Sequence, residues 1–241
     1  MLPDFLRTLA DSLSLKGYGA ILLDGTWMTV KLSICSLLLS VLLGLIGATS
    51  KLSAAKLLRF PATCYTTLIR GVPDLVLMLL IFYTMQLWLN DLTEWLDWEQ
   101  IDIEPFSAGA VTLGFIYGAY YAETFRGAYL AVPKGQIEAA MAYGMTAWQV
   151  FRRVLFPQMM RFALPGIANN WQVTLKATAL VSIIGLSDVV KAAQLAGKTT
   201  YRFFFFMLIA AAIYLLLTTL SNLVLMWLEK RYSAGVRAGD L

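Results

Sequence analysis

VPKGQIEAAMAYGMTAWQVFRRVLFPQMMR, Val132 to Arg161, is a polar interruption between two long apolar stretches. Its residues predict two short helices around a break. Pro133 and Gly135 are expected to end the preceding helix, and a new one restarts with Glu138 in its first turn, where a carboxylate complements the helix dipole. Ala139 and Ala140 are small enough to let another surface approach the backbone. Gly144 supplies a stop at positive φ. Thr146 with Gln149 then makes a capping box for the second helix. Trp148, Phe151, Val154 and Leu155 give that helix an apolar face, and Pro157 marks the start of the next long helix. From these residues alone, a docking knob for a partner and an ordinary interfacial loop both remain open.

Outward from this stretch, apolar segments recur at membrane-crossing length, about 20 residues each. The expected spans are Trp27 to Thr49, Phe60 to Leu89, Phe106 to Ala131, Met159 to Ile184 and Phe203 to Leu228. The second is too long for a straight crossing. Pro73, within Arg70-Gly71-Val72-Pro73-Asp74, predicts a kinked or tilted helix there. The fourth is the most polar, with Asn169, Asn170, Gln172 and Lys176. Phe5, Leu6, Leu9 and Leu13 recur at helical spacing, so Leu2 to Leu15 reads as a short surface helix, with no cleavable leader expected.

The positive charges orient the five spans. Lys51, Lys56 and Arg59 follow the first span; Lys134, Arg152, Arg153 and Arg161 lie between the third and fourth; Lys230, Arg231 and Arg237 close the chain. The other side has Arg7, Lys16, Lys191, Lys198 and Arg202, and its loop NDLTEWLDWEQIDIEP, Asn90 to Pro105, carries six acids and no base. The positive-inside rule therefore puts the N-terminus outside and the C-terminus in the cytoplasm. Gly197-Lys198-Thr199 matches the end of an ATP-binding loop, but the required first glycine is replaced by Ala192. It falls in the expected outer loop between spans four and five, where ATP is absent.

Composition narrows the class. Of 241 residues, 59% are hydrophobic and 14% charged, against about 25% charged in soluble domains. That fits an all-α polytopic membrane protein. The chain has no histidine, which excludes His-based triads and most zinc sites. Cys35 and Cys64 lie far apart in apolar surroundings, so neither a disulfide nor a metal site is expected.

Glu138-Ala139-Ala140, three residues, Gly144, nine residues, then Val154-Leu155-Phe156-Pro157 resembles the EAA loop of ABC-importer permeases, EAA-x3-G-x9-I-x-L-P. Val154 stands for Ile and Phe156 for Leu, and both stay apolar. Ile69 to Tyr83, Tyr121 to Ala140 and Asn169 to Gly185 are similar to the polar amino-acid branch of that family. Together with Asp188 to Thr200 they most resemble the Q-type permeases of bacterial histidine/lysine–arginine–ornithine importers. The resemblance covers nearly the whole chain from about residue 20. It implies the type I importer fold and an inner-membrane location. It also implies a heterodimer with an M-type permease, two ATPase subunits that bind ATP and Mg, and a periplasmic amino-acid-binding protein. No cofactor, nucleic-acid partner or catalysis is expected of this chain. The alternatives are a permease for another polar amino acid and an ATP-independent secondary transporter; against the latter, no inverted repeat is visible.

On this reading the chain divides into a periplasmic or interfacial segment over 1–26, a five-span domain over 27–231 with a coupling loop at 133–157, and a cytoplasmic tail over 232–241. Glu138, Ala139, Ala140, Gly144, Arg152 and Arg153 are the expected ATPase-coupling residues. Polar groups inside spans usually face a cavity or a partner helix. The substrate-pathway candidates are therefore Asp74, Tyr117, Tyr120, Tyr121, Glu123, Asn169, Asn170, Gln172 and Lys176. The family commonly has an apolar residue where Asp74 follows Arg-Gly-Val-Pro, so an acid there suits a cationic substrate. The competing readings are pairing of Asp74 with Arg70 at i−4 and of Glu123 with Arg126 at i+3. Gly114 and Gly118, at i and i+4, are expected to let helices approach closely.

Overall fold

The computed structural model describes Leu15 and residues 17–232. Among these the fold is helical, with no strand. The expected surface helix at Leu2 to Leu15 lies, apart from Leu15, outside the described residues, as does the tail beyond Tyr232.

Helix α1 (Gly19–Leu52) starts earlier than the expected span at Trp27 and runs 34 residues. Its buried positions are mostly small: Gly25, Thr29, Ser33, Ser36, Ser40, Gly44, Gly47 and Ala48. Small residues let a partner backbone come close, and that partner is α4 (Pro105–Ala131). A Cβ on Gly44 would lie 2.5 Å from the Tyr121 Cβ, and one on Gly114 would collide with Leu39. At Gly118 an added Cβ would sit 2.8 Å from both the Leu43 Cβ and the Tyr65 hydroxyl. Gly114 and Gly118 thus do what their spacing predicts. The main core gathers around these two helices and takes in residues of others, with Leu32, Met78, Leu113, Ile116, Tyr117 and Tyr121 almost fully enclosed.

The expected second span is not one kinked helix. It is two helices, α2 (Lys56–Gly71, 16 residues) and α3 (Asp74–Trp95, 22 residues). Val72 and Pro73 are extended, at φ −116°, ψ 142° and φ −58°, ψ 136°. Proline disfavours the helical conformation of the residue before it and lacks an N–H to continue the ladder. The chain therefore leaves the helix completely and restarts at Asp74.

Beyond α4 come α5 (Lys134–Ala142) and α6 (Ala147–Val150), and a wider π-helical turn, Phe151–Leu155, leads into α7 (Phe156–Ala177). A tight 3₁₀ stretch, Thr178–Ile184, ends at Gly185 with φ 106°. Helix α8 (Val189–Thr200) is capped by the buried Asp188, which accepts the Lys191 N–H at 2.9 Å. Gly197-Lys198-Thr199 is therefore helical rather than a loop, with Gly197 against Phe203. A helix has no inward-turned amides at those positions, so this motif has no phosphate cradle. Helix α9 (Phe203–Tyr232) completes the described chain and packs on α8 and α7.

Among the described residues three helices, α1, α3 and α9, are each long and apolar enough to cross a membrane; α6–α7 with its 3₁₀ extension and α8 form a broken pair, bent by 53°, that is long and apolar enough together. Much of α1, α3 and α9 stays exposed, including Leu38, Leu80, Trp88, Leu215 and Leu216. Such apolar exteriors are what a lipid solvent permits.

Candidate functional site

The break between α2 and α3 positions one polar cluster within the helices. Asp74 is the first residue of α3, and its Oδ2 accepts the Tyr117 hydroxyl of α4 at 2.7 Å. The level of this contact follows from the far end of the hairpin. Gln86 of α3 accepts the Ile103 N–H at 2.8 Å just before α4 begins. Equal runs along the two helices then bring Asp74 and Tyr117 together half-way along α4. Tyr120 packs beside Tyr117, with ring centroids 5.7 Å apart, and the Arg70 guanidinium lies 5.4 Å over the Tyr120 ring. Arg70 and Asp74 belong to different helices across an extended break, so the i, i+4 geometry does not exist. Among the described residues no ion pair joins them.

Glu123 stands apart from this cluster. Its carboxylate bonds Lys51 and, at 3.1 Å, Arg126. Lys51 is in the last turn of α1 and also donates to Thr66 of α2 at 2.7 Å. One half-buried acid thus ties α1, α2 and α4 together at the C-terminal end of α1. The Arg126 partner was readable at i+3; Lys51 and Thr66 are remote in sequence and carried no local signal.

The α7 candidates diverge. Asn170 is buried and donates to Thr124 of α4 at 3.0 Å, while Gln172 donates to Asn222 of α9 at 2.7 Å. Both bonds join helices. Asn169 and Lys176 are exposed, and Lys176 lies in the last turn of α7. Tyr121 is enclosed, its hydroxyl 3.5 Å from the Ile167 carbonyl.

In the loop from Val132, α4 ends at Ala131, and Pro133 caps α5, which starts at Lys134. Gly135 is inside α5, and Glu138 is in its second turn, not its first. The dipole argument for Glu138 therefore fails. The break is as expected: Gly144 has φ 77°, and the Thr146–Gln149 capping box is present in both directions. Glu138, Ala139, Arg152 and Arg153 are exposed, whereas Ala140 is buried. Trp148 stacks on Phe151 at 5.6 Å, and both rings remain open to the outside, as does Tyr143. The helix pair therefore presents a mixed apolar and charged surface with Val150 and Ala140 holding it from behind.

Residues 40–234 match the family of binding-protein-dependent transport system inner membrane components. The chain belongs to that family. It is 60% identical over 227 residues, 94% of this chain and 100% of the relative, to the histidine/lysine/arginine/ornithine transport system permease protein HisQ of Escherichia coli K12. It is 41% identical, over 92% of this chain and 95% of the relative, to the nopaline transport system permease protein NocQ of Agrobacterium fabrum. The fold is similar to a crystal structure of an amino acid ABC transporter with histidines, at TM-score 0.77 and 36% identity, covering 91% of this chain and 97% of that one. The protein is thus an all-helical, multi-pass membrane permease with the fold of an ABC importer.

Proposed function

We propose that this permease is a subunit of an ATP-driven importer of basic amino acids, including histidine, lysine, arginine and ornithine, in the bacterial inner membrane. It forms half of the translocation path and has no catalysis or cofactor of its own. Its partners are an M-type permease, two ATPase subunits that bind ATP and Mg, and a periplasmic amino-acid-binding protein. The full-length likeness to a permease named for these four substrates supports the class.

The observation that carries the site is the helix break at Val72–Pro73, which sets an acid, two tyrosines and a guanidinium half-way along α4. Non-helical backbone at membrane depth is tolerated where it is buried or lines a water-filled cavity, and broken helices mark substrate sites in transporters. A cationic side chain leaving water needs an anion there, and Asp74 supplies it, in no ion pair among the described residues. In this reading five spans, α1, α2 with α3, α4, α7 and α9, run from an outer N-terminus to a cytoplasmic C-terminus. The domain covers 27–231, between an outer segment at 1–26 and a tail at 232–241. The loop at 133–157 then faces the ATPase subunits, with Glu138, Ala139, Gly144, Arg152 and Arg153 at the contact and Ala140 supporting it. Asn170 and Gln172 act as helix joints beside the path, with Asn169 on its open face.

Reconstitution tests the reading. Proteoliposomes holding the assembled complex should take up arginine only with binding protein outside and ATP on the ATPase side. Uptake by the permease pair without ATPase subunits would favour a secondary transporter instead.

A further inference from the structure

Arg70 is exposed in the last turn of α2, and among the described residues it forms no ion pair. Its guanidinium lies over the Tyr120 ring, one ring further along α4 than the Tyr117 that holds Asp74. The site therefore holds an acid at one tyrosine hydroxyl and a cation over the next tyrosine ring, with no ion pair between them. An aromatic face below a guanidinium fixes its plane and leaves its N–H edge free. That edge matches a carboxylate, which it binds through two parallel hydrogen bonds. An amino acid with a cationic side chain carries both complementary charges.

We infer that Arg70, oriented by Tyr120, receives the α-carboxylate of the transported amino acid while Asp74 receives its cationic side chain. This rests on the reading of the helix break as the substrate site. It divides recognition into two parts: Arg70 admits amino acids as a class, and Asp74 selects the basic ones.

The test uses the assembled importer in nanodiscs without binding protein, and equilibrium binding of radiolabelled arginine competed by arginine and by arginine amide. The amide keeps the side chain and removes the negative charge. In the wild type the amide should compete at least about tenfold more weakly, the range expected for one charge-assisted contact. Arg70→Gln should weaken arginine to about the level of the amide and bring their ratio near one. Arg70→Lys, which keeps charge but not the planar fork, should fall between. Asp74→Asn should weaken arginine and the amide together and preserve their ratio. An unchanged ratio in Arg70→Gln, with binding still sensitive to Asp74→Asn, overturns the carboxylate assignment and leaves the site standing. Indifference to both substitutions, or no saturable binding to the wild type, removes the site itself. Failure of both Arg70 variants to assemble with the second permease also overturns the proposal, making Arg70 a subunit contact.

Discussion

At Asp74 one carboxylate oxygen accepts the Tyr117 hydroxyl and, among the described residues, no ion pair forms, whereas the Glu123 carboxylate lies between Lys51 and Arg126. The difference separates their mutants. Asp74→Asn keeps the shape and the tyrosine contact but removes the charge. Losing one such pair in a partly wet cavity costs on the order of 1–3 kcal/mol, roughly tenfold to a hundredfold in transport efficiency. Uptake should fall more for arginine and lysine than for histidine at high pH, where its imidazole is neutral. Glu123→Gln leaves Lys51 and Arg126 uncompensated in a half-buried cluster, a loss on the order of 1–3 kcal/mol. It should lower the thermal stability of the purified complex and reduce uptake of all three amino acids alike. Reversal of these patterns in a three-substrate uptake series would exchange the roles of the two acids. The presence of both acids was legible in the sequence. Their division of labour was not, because Lys51 and Thr66 reach Glu123 only through the packing of α1 and α2 on α4.

Helix α5 and the α6 turn are joined at Gly144, which has φ 77° and nothing within 4 Å of where a Cβ would sit. The strain of a substitution there is therefore conformational and not steric. A β-branched residue at positive φ is a genuine outlier, so Gly144→Val should tilt α5 against α6. Insertion and substrate binding should persist, while ATP hydrolysis no longer responds to substrate-loaded binding protein; a normal response would remove the coupling role from this turn. The break in this element was legible, because a capping box and a positive-φ glycine are local devices; the bounds of its two helices were not. Glu138 was misplaced by one turn because Pro133 starts α5 earlier than the acid suggested. The break at Val72–Pro73 was readable as a proline defect, but only the extended conformation of both residues turns a kink into two helices. Gly197-Lys198-Thr199 was set aside for its expected place in an outer loop; it is instead helical, which is an independent reason against a phosphate cradle.

Across the whole molecule, one face of α1 built from small residues receives α4, and α3 and α9 leave most of their length exposed. The apolar periodicity that suggests a membrane-crossing helix cannot say whether a helix meets lipid, a second permease or its own chain, so the packing order was hidden in the sequence. The long apolar helices and the polar loop between α4 and α7 were visible because membrane length and charge placement are written locally. In the proposed function an amino acid passes through the break between α2 and α3. The most direct measurement is a structure of the assembled importer, embedded in lipid, with arginine bound in the membrane region. The arginine guanidinium should lie within hydrogen-bonding distance of Asp74, beside the Tyr117 and Tyr120 rings. Arginine held by other helices, with Asp74 closed off by protein on every side, would contradict it.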